Sequence, residues 1–253
     1  ARRPVTNQRT RNTHVNAAIL HAWSSQVRLP GQAVAPPGPV DLTRTYLMHH
    51  AFRRDLADFT AAVSATPLNE PVTWLSLSGR WQFFVSSILR HQAAEDDGLR
   101  PVLRPLTDTA GRAALDELED EHRAIEQMLA ACTRGFDRLA PPPDVDAHAE
   151  LMAALRRASE LIGSHLDREE QETMRILQEV LTPQAWARIE EIHYTSPLPP
   201  ADVVTLVPWL LHRVPGPIRR DHLTRAGRAQ HLLWLATRTG FTRRERLAFA
   251  HAG

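Results

Sequence analysis

The segments HQAAE at residues 91–95 and HLDRE at residues 165–169 each place a glutamate four residues after a histidine, within stretches of helical hydrophobic periodicity. Side chains at positions i and i+4 of an α-helix lie one above the other on the same face. Each segment therefore aims one imidazole and one carboxylate at a common point. Because both pairs fall on the apolar face of their predicted helices, they are expected to lie in the interior of the fold.

Outward from these segments, apolar residues recur at spacings of three and four over four long stretches. The predicted helices cover about residues 41–64, 72–105, 108–139 and 145–181. Asp41 and Asp144 are expected to cap the first and fourth helices, and Pro101 is expected to kink the second. Short links between long amphipathic helices predict an all-α fold, an up-down-up-down four-helix bundle.

Each predicted helix carries one histidine in its apolar stripe, and these are His49, His91, His122 and His165. All four lie near the middle of their helices and would meet at one depth in a bundle. A lone core histidine is more often a hydrogen-bonded structural residue. The two glutamates, Glu95 and Glu169, change this interpretation, because a buried ionised carboxylate needs a compensating positive charge, which a metal ion supplies directly.

Four imidazoles and two carboxylates are too many donors for one tetrahedral zinc ion. They suit two metal ions bridged by the two glutamates. Mixed nitrogen and oxygen donors in a helix bundle favour iron, with manganese second. Two six-coordinate ions would leave positions for a bridging oxide or water and for a small ligand.

The order His, His-x3-Glu, His, His-x3-Glu on four successive helices resembles the hemerythrin-like (HHE cation-binding) family. The resemblance covers about residues 40–190 and is similar to the actinobacterial type, of which the string RRDL at residues 53–56 is typical. It implies a non-haem di-iron site with an oxo or hydroxo bridge, in which Glu95 and Glu169 bridge the two ions. The ligands implied by the resemblance are His49, His91, Glu95, His122, His165 and Glu169.

The chain departs from the oxygen-carrying hemerythrins at two positions. Those carriers have a second histidine on the third helix, four residues after the first, where this chain has Glu126. They also use a carboxylate five residues after the last histidine, where this chain has Glu170. With one histidine fewer, the resemblance does not imply reversible oxygen carriage. Tyr46, His50, Glu126, Glu170 or solvent are candidates for an extra ligand or a supporting neighbour, although His50 falls off the apolar stripe.

The predicted organisation has three parts: an N-terminal arm over residues 1–40, the bundle over 41–195 and a helical extension over 196–253 packed on the bundle. In the extension we predict helices over 202–213 and about 216–250, with breaks at residues 215–217 and at Gly240. An alternative is that the arginine-rich face of the extension lies on an anionic membrane surface.

Charge is unevenly distributed along the chain. Residues 41–195 carry 16 arginines against 26 acidic residues, a net charge of −10, whereas residues 196–253 carry nine against three, a net charge of +6. We find no nucleic-acid-binding motif and no stretch apolar enough for a transmembrane helix. The single cysteine, Cys132, excludes an intrachain disulfide and fits a reducing cytoplasm.

These observations favour a cytoplasmic hemerythrin-like di-iron protein that binds or reduces a small oxidant such as O2, peroxide or NO. One alternative is a di-iron oxygenase or oxidase acting on a small organic substrate, with the extra helices shaping its pocket. Another is an iron-binding structural or sensing module. Whether the protein is an enzyme stays open at this point; as an enzyme it would be an oxidoreductase of peroxidase, catalase-like or oxygenase type. A cavity wide enough for an organic molecule at the metals would favour the oxygenase.

Overall fold

The computed structural model describes residues 26–139, 144–195 and 200–252. Most of the predicted N-terminal arm, residues 1–25, lies outside the described residues. From residue 26 the chain runs as an irregular segment to the first helix. The buried side chain of Gln26 fixes the end of this segment, since its amide donates to the Val40 carbonyl at 2.9 Å and its oxygen accepts from the Leu42 N–H at 3.1 Å.

The fold is all-α, as the hydrophobic periodicity predicted. In the described residues the helices are, in order, α1 (Thr43–Ala65), α2 (Pro71–Ala94), α3 (Arg100–Leu103), α4 (Thr109–Arg138), α5 (Val145–Gln171), α6 (Thr173–Val180), α7 (Pro183–Ile189), α8 (Pro200–Leu210), α9 (Gly216–Ala226) and α10 (Arg228–Ala248). The four long helices form the bundle, in which α1 packs against α2 and α5, and α4 packs against α2 and α5. Their apolar faces form one contiguous core.

The second predicted helix is interrupted before Pro101 rather than kinked at it. The chain forms a π-helical turn over Glu95–Leu99, resumes as the single turn α3, and ends in a 3-10 turn over Arg104–Leu106. A proline ring clashes with the carbonyl of the residue four positions earlier, here Asp97, so the irregularity falls in the preceding turn. The extra residue of a π turn rotates the chain, and such turns are frequent at functional sites.

Two helix boundaries differ from the prediction. The cap of α1 is Leu42, without a side-chain hydrogen bond, while Asp41 lies one residue earlier and accepts from the Thr43 N–H at 2.9 Å. Asp144 does cap α5 and accepts from two backbone N–H groups. The fourth predicted helix is divided at Glu172, so that α5 and α6 replace one continuous helix.

The prediction of a break at Gly240 is wrong. Gly240 lies inside α10, and the chain instead breaks at Gly227, whose φ is +88°. A positive φ carries little steric cost for glycine because it lacks a Cβ, whereas a glycine with ordinary helical φ is tolerated within a helix. The sequence shows both glycines but not which of them takes the left-handed conformation.

A buried ionic network joins the C-terminal helices to the bundle. Asp55 on α1 is 0% exposed and accepts hydrogen bonds from Arg54 at 2.8 Å, from Arg80 at 2.5 Å and from the Trp209 indole at 2.7 Å. Arg80 also donates to Glu245 at 2.6 Å. Helices α8 and α10 therefore dock on α1 and α2. The division of the chain at residues 40 and 195 stays a prediction. None of the helices in the described ranges combines the length and apolar character needed to cross a lipid bilayer.

Candidate metal centre

Two groups of buried donor atoms lie at the centre of the bundle. Among the described residues, the metal-type donors His49, His91, Glu95 and Glu169 form one group, and Glu95, His122 and His165 form the other. Within each group, the donor atoms lie within 4.8 Å of one another. The structure thus brings together all six residues implied by the resemblance, and Glu95 belongs to both groups.

The first group has unsatisfied polar atoms that fit a cation. The Nε2 atoms of His49 and His91, and both carboxylate oxygens of Glu95 and Glu169, are buried and have no hydrogen-bond partner within the part of the chain that the structure describes. They nevertheless lie close together: His49 Nε2 is 3.4 Å from Glu169 Oε2, and His91 Nε2 is 3.0 Å from Glu95 Oε1. Leaving such atoms unsatisfied is costly. A divalent or trivalent metal ion would satisfy them together, and nitrogen plus carboxylate donors suit iron or manganese.

The second group fits a metal less completely. His122 Nε2 lies 3.4 Å from Glu95 Oε2 and 3.2 Å from His165 Nε2, and His165 Nε2 lies 4.0 Å from Glu169 Oε2. Both glutamates therefore adjoin histidines of two different helices, as bridging carboxylates would. The buried guanidinium of Arg100 lies 3.1 Å from His122 Nε2, so one cation already adjoins this group.

In three of the four histidines, the imidazole Nδ1 contacts a carboxylate on the side of the ring away from the other donors. The pairs that join the imidazole Nδ1 to a carboxylate oxygen are His49 with Glu170 (3.0 Å), His122 with Asp96 (3.0 Å) and His165 with Glu121 (2.9 Å). A carboxylate on Nδ1 fixes the ring orientation and leaves Nε2 for a metal, which is the usual arrangement of metal-binding histidines. His91 differs, because no described residue is a hydrogen-bond partner of its buried Nδ1.

The electrostatics of the donor groups favour positive charge at the centre. Burial acts to lower the pKa of His49, but Glu169 and Glu170 outweigh it and raise the pKa to about 9. The pKa of His122 is likewise raised to about 9, because Asp96 and Glu95 outweigh burial. Burial acts to raise the pKa of Glu95, yet the imidazoles of His91 and His122 hold it well below its usual range. Protons on imidazoles thus supply the charge that a metal ion would supply.

The four further candidates from the sequence lie in different surroundings. Glu170 and the hydroxyl of Tyr46 are buried beside the centre, and burial together with the charges of Glu170 and Glu169 raises the pKa of Tyr46. His50 lies outside both donor groups, and its Nδ1 is 3.2 Å from the Pro30 carbonyl. Glu126 is exposed and does not reach the centre. The preceding residue, Ile125, is the one that the helix buries in the core.

Four residues at the centre were missed by the sequence analysis. Asp96 and Glu121 lie directly beside predicted site residues in acid-rich strings, which resemble solvated helix faces. Neither Arg100 nor Tyr194 lies at a sequence spacing that would have indicated a place at the centre. Tyr194 comes from a π-helical turn over Glu190–Thr195, and its ring centre lies 6.0 Å from that of His91.

The turn that carries Tyr194 packs directly on the π turn that follows α2. A Cβ atom added to Gly98 would lie 2.4 Å from the His193 ring, so this close approach requires glycine. Burial and the charges of Glu95 and Glu169 raise the pKa of Tyr194 well above its usual value. Its hydroxyl therefore stays protonated at neutral pH and is able to donate a hydrogen bond.

Together the helices and donors define a helix-bundle protein with a buried candidate metal centre of nitrogen and oxygen donors. The chain belongs to the hemerythrin HHE cation-binding domain family, which it matches over residues 42–177, more than half of its length. This match confirms the family resemblance drawn from the histidine and glutamate spacing. It covers α1 to α5 and most of α6 and leaves α7 to α10 outside. No curated protein and no solved structure matches the chain significantly.

Proposed function

We propose that this chain is a non-haem di-iron protein that binds or reduces a small oxidant, namely O2, peroxide or NO. The observation that carries the proposal is a small cavity lined by His91, whose Nδ1, unlike that of the other three candidate histidines, has no partner among the described residues. Its volume is about 40 Å³, and its walls include Met48, Trp186 and Tyr194. One water molecule takes about 30 Å³ of liquid, whereas sites for organic ligands measure about 300–1,000 Å³.

The size of this cavity favours a small oxidant over an organic substrate at the metals. An oxygenase acting on an organic molecule would need a wider space next to His91 than the structure provides. Iron held in the two donor groups would supply redox chemistry and an open position for a small ligand. Of the four candidate histidines, His91 is the one that lines this cavity, so it lies nearest to such a ligand.

The residues around the cavity have separate parts in this proposal. Tyr194, protonated at neutral pH, would donate a hydrogen bond to the ligand. The ring of Phe52 lies 5.5 Å from that of His91, and Phe52 and Ile88 belong to the apolar core that keeps bulk water from the centre. Glu95 and Glu169 would carry the negative charge that holds the metals. We also propose a cytoplasmic location, which the single, buried Cys132 supports.

Metal analysis followed by exposure to oxidants tests the proposal. The protein is loaded with iron without oxygen, analysed for bound iron, and then exposed separately to O2, peroxide and NO while its absorption is recorded. We expect about two irons per chain and an optical change with at least one oxidant. The donor group of Glu95, His122 and His165 should bind iron after the other group, because the guanidinium of Arg100 already adjoins it. The variant His122→Ala is expected to retain at most one iron while remaining helical.

Three outcomes would contradict the proposal in different ways. A single tightly bound zinc would exclude the di-iron centre. An unchanged iron content in His122→Ala would remove that residue from the ligand set. Two irons that respond to none of the three oxidants, in a protein that unfolds on chelation, would instead favour the structural or sensing module.

A further inference from the structure

A second and larger cavity adjoins the small one that His91 lines. Its volume is about 660 Å³, which falls within the usual range for organic ligands. The described residues that line it come from α7 to α10, from the segment over Glu190–Thr195, and from the chain around the start of α1. The two cavities share four lining residues, which are Arg44, Trp186, Glu190 and Leu206. We call the larger cavity the outer chamber.

The walls of the outer chamber are mostly apolar. The side chains of Trp186, Val203, Leu206, Val207 and Leu233 line it, and they would bury the apolar body of a ligand. Nearly all of this wall follows residue 177, where the family match ends. The chamber is therefore a feature that the C-terminal helices add to the bundle.

The two arginines of the outer chamber differ in how closely they are paired with carboxylates. Arg225 forms an ion pair with Asp41, so neither presents a free charge. Arg44 is paired only loosely, since its closest carboxylate among the described residues is Glu190 at 3.9 Å. One of its N–H groups donates to the Thr195 hydroxyl at 2.9 Å. A guanidinium has five N–H donors, so most of those on Arg44 remain available.

The surroundings of Arg44 favour an anion over a cation. Burial raises the pKa of Glu190, the charge of Arg44 acts to lower it, and the charge of Asp41 raises it, so the pKa lies above its usual value. Burial, together with the charges of Arg44 and Arg225, lowers the pKa of His222, so that this wall residue stays neutral at neutral pH. Among the described residues of the chamber, Arg44 is thus the guanidinium without a carboxylate closer than 3.9 Å, whereas Arg225 is paired with Asp41.

We propose that the outer chamber binds a small organic acid, with its carboxylate on Arg44 and its apolar body against Trp186, Val203, Leu206, Val207 and Leu233. Because Arg44 lines both cavities, the bound acid lies where the outer chamber meets the smaller cavity that His91 lines. Binding itself does not require a metal. Any effect of the bound acid on the access of a small oxidant to the metal centre rests on the proposed function.

Calorimetric titration of the full chain with three matched probes tests this inference. The probes are 4-phenylbutyrate, its neutral amide and the corresponding primary amine, which share one apolar body. We expect the acid to bind more tightly than the amide, and the amide more tightly than the amine. Arg44→Gln is expected to weaken binding of the acid by at least about tenfold, as loss of a charge-assisted hydrogen bond would, and to leave the amide nearly unchanged.

Two further variants keep the test specific. Arg225→Gln removes a paired arginine from the same chamber and is expected to weaken binding of the acid by no more than about threefold. Leu206→Trp fills the chamber at the shared wall and is expected to abolish binding of both acid and amide. Circular dichroism of each variant establishes that it is folded.

Several results would overturn the inference. These are equal binding of acid and amide, tighter binding of the amine, an undiminished affinity in Arg44→Gln, and no binding of any probe at millimolar concentration. The iron content of the same preparations separates this inference from the proposed function. Acid binding by a protein that takes up no iron on loading would refute only the di-iron proposal, whereas two irons that react with an oxidant in a protein that does not bind the acid would refute only the outer-chamber inference.

Discussion

The substitution Asp55→Asn tests how the C-terminal helices are held on the bundle. Asp55 is completely buried, and its two oxygens accept hydrogen bonds from Arg54, Arg80 and Trp209 at 2.5–3.1 Å. Burial acts to raise the pKa of Asp55, but Arg80 and Arg54 outweigh it and hold the pKa below its usual value. The carboxylate is therefore ionised, and it is shared by two buried guanidinium groups.

Asparagine would preserve the shape of this side chain and remove its charge. One of its two polar atoms is an amide nitrogen, which cannot accept the hydrogen bonds that an oxygen of Asp55 accepts. Among the described residues, Glu245 would then be the buried carboxylate left to pair with Arg80, and Arg54 would lose its ion pair. Removal of one partner from a buried ion pair costs about 3–5 kcal/mol, because the remaining charge is left uncompensated.

We expect Asp55→Asn to lower the free energy of unfolding by about 3–5 kcal/mol. The measurement is urea unfolding of the metal-free protein, followed by far-ultraviolet circular dichroism and by tryptophan fluorescence. The matched control is Asp58→Asn, one turn away, whose partner Arg213 is exposed; its expected loss is about 1 kcal/mol or less. A loss below about 1 kcal/mol for Asp55→Asn would refute this reasoning and assign the docking of α8 to apolar packing.

Three other predictions concern the centre. Glu95→Gln is expected to reduce bound iron from about two per chain to less than one by elemental analysis, because both donor groups use Glu95, whereas the exposed Glu126→Gln should match the wild type. The pKa values of His49 and His122 are raised from 6.5 to about 9, so their protonation stabilises the metal-free fold fully below about pH 6.5, and this stabilisation is lost as pH rises through 9. Metal uptake should displace about two protons from these imidazoles at pH 7 and almost none at pH 10, as calorimetry in buffers of different ionisation enthalpy would detect; an equal release from them at both pH values would contradict the raised pKa values. Tyr194→Phe should weaken azide binding to the iron-loaded protein by up to about tenfold with unchanged iron content, and equal affinity would exclude the proposed hydrogen bond.

Periodicity was sufficient to predict the long helices and the donors on them. A histidine in an apolar stripe has to point inward, and the fourth residue after it has to share its face. Asp96 was missed because the π turn after Ala94 changes the helical rotation, and periodicity assumes a constant one. Tyr194 was missed because it reaches the centre through the docking of distant segments. The break at Gly227 depends on a backbone dihedral angle that two similar glycines could each have adopted.

The absence of a side chain at Gly98 makes the packing of the turn that carries Tyr194 sensitive to a single methyl group. An alanine there would have its Cβ 2.4 Å from the His193 ring, about 1 Å inside ordinary van der Waals contact, so one of the two turns that meet here would have to shift. One of these turns begins at the shared donor Glu95, and the other carries Tyr194. Gly98→Ala is therefore a steric perturbation of the contact through which the segment after α7 reaches the metal donors.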